Sequence, residues 1–185
     1  MTGEPAVTDP ISSLAPRTRR RVATVAWLAT ISLTVALALL DVPLRTDSAR
    51  HGILSFELAG SREAVDAILG SWDPHARVCA ALGLGLDFLY PLAYSTALAS
   101  LCAWAARRRA GLWHAVGVRL VWGQWLAAAF DALENLALIG LLLGSSSTLL
   151  PPLAASFAAL KFVLLLAGIL YVAGVLLVPR AAPKQ

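Results

Sequence analysis

The sequence predicts an all-α fold: a membrane-embedded four-helix bundle with a short amphipathic interfacial helix in the first extracytoplasmic loop. Three observations predict it. Of 185 residues, 58% are apolar and only 14% charged, whereas a soluble domain carries about 25% charged and about 45–50% apolar residues. The apolar residues collect in runs that match the ~20 helical residues needed to cross a hydrocarbon layer ~30 Å thick. Basic residues gather at the ends of those runs, so the net charge of +4 and the pI near 9.6 read as membrane orientation and not as affinity for nucleic acid. The bilayer is the partner this composition calls for.

Residues 1–21 read as a disordered cytoplasmic tail. Pro5, Pro10 and Pro16 stand among small and polar residues, and Arg17, Arg19, Arg20 and Arg21 close the segment. The first span covers about 22–40 and carries no charge. Ala36-Leu37-Ala38 mimics a signal-peptidase site, but the run exceeds the ~7–15 residues of a signal core, so an uncleaved span is expected.

Residues 41–77 form the extracytoplasmic connection. Ser61 is a candidate N-cap with Glu63 in the first turn. Ala64, Val65, Ile68, Leu69 and Trp72 follow as an apolar stripe of helical period. This is the expected interfacial helix, with Trp72 at headgroup level. Upstream, Leu54, Phe56 and Leu58 alternate with Ser55, Glu57 and Ala59, the pattern of a short extended piece. Glu57 and His51 read as solvated.

The second span covers about 78–106, with Asp87 and Pro91 inside it and Arg107, Arg108 and Arg109 after it. The third covers about 118–143, and Gly144 to Thr148 make a turn. The fourth covers about 152–178, with Lys161 as its one charge, and 179–185 is a second cytoplasmic tail. Four spans put every basic cluster on one side, which the positive-inside rule makes the cytoplasm. A multi-pass protein of the cell (inner) membrane with both termini cytoplasmic is expected. Spans 22–40, 78–106, 118–143 and 152–178 then form one domain, 22–178.

Ionisable residues inside those spans define a polar centre. Asp87 lies nine residues in from Val78, Asp131 and Glu134 lie twelve and nine back from Leu143, and Lys161 lies nine in from Pro152. At 1.5 Å per residue all four sit ~14–18 Å below the outer surface. Helical period adds Tyr90 and Tyr94 to the face of Asp87, and Asn135 to the face of Asp131 and Glu134. Pro91 cannot donate to the carbonyl of residue 87, which leaves a free acceptor and favours a kink there. The candidate ligand-binding residues are therefore Asp87, Tyr90, Tyr94, Asp131, Glu134, Asn135 and Lys161. Three carboxyls against one ammonium call for a protonated carboxyl or a bound cation. Cys79 and Cys102 lie ~35 Å apart along one helix and cannot bridge. His51, His75 and His114 make no ligand pattern, so no metal and no cofactor is expected.

Leu86-Asp87-Phe88-Leu89-Tyr90-Pro91, Asp131-x-x-Glu134-Asn135 and the lysine midway along the last span resemble a group of small four-span bacterial membrane proteins without assigned activity. The resemblance covers spans two to four. It implies a four-span inner-membrane protein and no substrate.

Two roles suit the centre. It binds a lipid-like or cationic small molecule, with the tyrosine rings and the acids meeting the cation, or it serves as bundle-stabilising structure. The alternative is a membrane enzyme whose carboxyls act as acid and base on a lipid or isoprenoid. A transport variant of the first role would call for a homo-oligomer.

Overall fold

The computed structural model describes residues 8–178. These residues form seven α-helices and one 3-10 turn, with no strand among them. The helices are α1 (Pro16–Asp41), α2 (Ile53–Glu57), α3 (Arg62–Ser71), α4 (Pro74–Leu86), α5 (Tyr90–Ala106), α6 (Gly111–Leu142) and α7 (Leu150–Leu177). The 3-10 turn Val42–Leu44 follows α1 directly. Three of the helices, α1, α6 and α7, are long and apolar enough to cross a membrane. The pair α4 and α5 makes a fourth candidate if taken as one span bent by 45°.

The expected tail at 1–21 is corrected over its described part. Asp9 Oδ1 accepts the backbone N–H of Ser12 at 2.6 Å, and the turn it closes seats Ile11 in a core of α5, α6 and α7 residues. The helix then starts at Pro16, where a missing N–H costs nothing because the first turn has no intrahelical acceptor. Residues 1–7 and the tail 179–185 lie outside the described residues.

The break between α4 and α5 falls at residues 87–89, as the Pro91 argument anticipates. Pro91 occupies the first turn of α5, so the turn before it has no donor for the residue 87 carbonyl. Elsewhere the helices meet through small residues. Ala127, Ala128 and Ala137 of α6 and Ala154 and Ala158 of α7 are buried, and α6 packs on both α7 and α5. A Cβ on Gly117 would come within 2.6 Å of the Ala106 Cβ, and one on Gly168 within 2.6 Å of Gln124 Nε2. Small side chains let membrane helices approach this closely.

One end of the molecule gathers the arginines at the start of α1 and the end of α5. Arg107 Nη1 donates to Ser12 Oγ at 3.0 Å, Arg109 donates to the Val175 carbonyl at 2.6 Å and to that of Val178, and Tyr171 donates to the Trp113 carbonyl at 2.9 Å. The start of α1, the end of α5, the start of α6 and the end of α7 therefore meet there.

The opposite end is covered by the 41–77 connection, which folds inward as a cap. Leu44, Phe56, Val65, Ile68 and Trp72 share a core with Leu84, Leu138, Leu141 and Ala154. The helix at α3 has the Ser61 cap, its side chain accepting from Ala64 N at 3.2 Å. Trp72 is not a headgroup anchor: it is 3% exposed, donates Nε1–H to the Leu44 carbonyl at 2.8 Å and meets Phe56 edge-on at 5.3 Å. The extended piece at 54–58 is also corrected to the short helix α2. Gly52, at φ 59°, turns the chain, and Asp41 Oδ1 accepts the free N–H of Ile53 at 2.7 Å.

Candidate functional site

The inner face of α6 carries Asp131, Glu134 and Asn135, each at most 2% exposed. The i, i+3, i+4 spacing stacks them on one stripe. Lys161 reaches this stripe from α7. Its Nζ lies 2.9 Å from Asp131 Oδ1 and 2.8 Å from Glu134 Oε2. A third carboxylate, Glu57 Oε2, stands 3.6 Å away. Asp131 takes a hydrogen bond from the ammonium, and Glu134 and Glu57 complete its charged surroundings. Tyr94 of α5 donates to the other oxygen of Asp131 at 2.7 Å.

Asp87 and Asn135 make a second pair beside the first. Asn135 Nδ2 donates to Asp87 Oδ2 at 2.9 Å and to the Asp87 carbonyl at 3.3 Å. That carbonyl is the acceptor Pro91 leaves free, so α6 supplies what the α4–α5 break exposes. Tyr90 and Tyr94 stand edge-to-face with ring centroids 5.2 Å apart, and the Tyr90 hydroxyl is 3.1 Å from Thr34 Oγ1 of α1. The seven residues singled out from the sequence thus lie in three adjoining groups: Asp131, Glu134, Lys161 and Tyr94; Asp87 with Asn135; and Tyr90 at the α1 edge.

Glu57 is the residue that sequence reasoning missed. It is not solvated but 8% exposed, carried into the centre by the cap. Burial pushes its carboxyl above the ordinary range, and the Lys161 ammonium opposes that rise. A signal for it existed: Ile53, Phe56 and Glu57 stand at i, i+3, i+4 directly after a glycine, which is a helical stripe. His51 is exposed, as expected.

A cavity of about 460 Å³ adjoins the centre. One side is built by Trp27, Thr30 and Leu37 of α1, another by Phe162, Leu165 and Ile169 of α7, and Gly83 and Leu84 of α4 contribute a wall. Glu57, Asp87, Tyr90, Tyr94, Asp131 and Lys161 give it a polar patch. Its size falls in the range of ligand pockets, about 300–1,000 Å³. Apolar walls with a polar patch among them suit an amphiphile: a chain along the walls and a head at the acids.

No family model, no curated protein and no solved structure matches this chain.

Proposed function

We propose that this chain is a multi-pass protein of a bacterial inner membrane that binds a lipid-like amphiphile in the cavity beside Lys161. In this reading α1, the bent α4–α5 pair, α6 and α7 form a four-helix bundle. The basic end faces the cytoplasm, and α3 lies at the opposite membrane surface with its apolar face on the bundle. The direct contacts of Lys161 with Asp131 and Glu134 hold α6 to α7, as buried polar groups do between membrane helices.

The observation that carries the binding role is the cavity itself. Helix glue needs no adjoining space, yet here a cavity of about 460 Å³ runs from the charged centre along apolar residues of α1 and α7. The test is lipid analysis of the purified protein and of Gly83→Leu, because a Cβ at Gly83 meets nothing within 4 Å and Gly83 lines the cavity. Wild type should retain one amphiphile per chain in native mass spectra, and Gly83→Leu should lose it. Wild type releasing none, or both proteins retaining equal amounts, would sink the reading.

One observation favours a second reading, a membrane enzyme acting on a lipid or isoprenoid. Two carboxyls in unlike settings, Glu57 beside Lys161 and Asp87 beside Asn135, line the same cavity, and such a difference suits one acid and one base. Recovering the retained amphiphile chemically unchanged after incubation separates binding from turnover.

A further inference from the structure

We infer that the head of the amphiphile is an ammonium group, received by Asp87 beside the ring pair of Tyr90 and Tyr94. This rests on the amphiphile reading and names the chemistry of its head.

The two halves of the polar centre are unequally satisfied. Lys161 is surrounded by Asp131, Glu134 and Glu57 at 2.9, 2.8 and 3.6 Å, so its single charge is already outnumbered by carboxyls. An anionic head would find no free cation there and would add to four carboxyls. Asp87 is in the opposite position. No Lys, Arg or His among the described residues makes an ion pair with it; its one side-chain donor is the Asn135 amide at 2.9 Å. The centre is short of positive charge, with Lys161 the one cation among four carboxyls, and an ammonium supplies it.

The shape fits the same head. Asp87 is half-buried at the α4–α5 break and lines the cavity together with both tyrosines. The rings touch edge-to-face at 5.2 Å and line the cavity with Asp87, so a head there meets a carboxylate and aromatic surface together, the combination that recognises ammonium ions. The apolar walls toward α1 and α7 take the chain.

The test uses three twelve-carbon amphiphiles that differ only in the head: dodecylammonium, dodecanol and dodecanoate. Each is titrated into the full chain held in a neutral maltoside detergent, and bound ligand is counted by native mass spectrometry. Dodecylammonium should bind at least tenfold tighter than dodecanol, with dodecanoate weakest. Asp87→Asn should erase the margin between amine and alcohol while dodecanol binds as before. Tyr90→Leu, which leaves every carboxylate in place, should narrow the margin several-fold and serves alone if Asp87→Asn does not fold. If amine and alcohol bind equally, if dodecanoate binds tightest, or if the margin survives both substitutions, the ammonium assignment is overturned while amphiphile binding stands. If no probe binds, or Gly83→Leu leaves binding unchanged, the amphiphile reading fails and takes this inference with it.

Discussion

Helices α1 and α6 are both long and apolar, but the more hydropathic of the two is the less buried. The apolar window of α1 has mean hydropathy 2.1 and is 6% buried, and that of α6 has 1.5 and is 44% buried. In water the order would be reversed, because burial there follows apolar surface. Lipid is as apolar as leucine, so a greasy face gains nothing by turning inward. Close packing and polar pairing decide instead. α6 has Gly117, Ala127, Ala128 and the Asp131 stripe. α1 has a single buried residue, Ala26, and presents Val25, Leu28, Val35 and Leu39 outward. One helix is fixed in the molecule, and the other lies along its side with the cavity behind it.

Four single substitutions and one second-site change break or sharpen that contrast. Lys161→Met strikes the fixed side hardest: it leaves Asp131 and Glu134 buried without their cation and should cost about 3–5 kcal/mol in an unfolding titration. Adding Glu134→Gln should recover part of the loss. A variant as stable as wild type would mean that charge does not hold α6 to α7. Gly117→Leu should cost about 1–3 kcal/mol by overpacking against Ala106 and Tyr171, seen as a lower midpoint of thermal unfolding in the same detergent. Asn135→Ala removes the donor to Asp87 and should cost about 1 kcal/mol; hydrogen exchange at residues 87–89 should rise with it. On the loose side, Leu39→Ala, at a site 69% exposed, should stay within about 0.5 kcal/mol of wild type. A larger loss measured by the same titration would show that α1 is packed against something more than lipid.

Much of the site was legible because helical geometry is local. Counting rises placed Asp131, Glu134 and Lys161 at one depth, and they meet at 2.8–2.9 Å. The missing donor of Pro91 exposed the carbonyl that Asn135 takes. The cap was not legible. Whether an amphipathic stretch lies on lipid or on its own bundle depends on where the chain returns, and the Trp72 to Leu44 bond closes over 28 residues. The misread of Glu57 has the same source. Alternation over 54–59 resembles a strand, and only the turn at Gly52, held by Asp41, makes Ile53, Phe56 and Glu57 one helical face. The cavity was beyond reach because it is the space left by α1, whose placement no local pattern fixes.

The pairing of Lys161 with the α6 acids also sets a timetable. Asp131 and Lys161 are 30 residues apart in the chain, so at a synthesis rate of about 5–20 residues per second the acids precede their cation by roughly 2–6 s. During that interval the segment carrying Asp131, Glu134 and Asn135 meets the bilayer with its most costly groups uncompensated. Helix α7 is thus the one that commits α6, and a nascent chain halted before Lys161 presents the insertion machinery with a segment it has little reason to release.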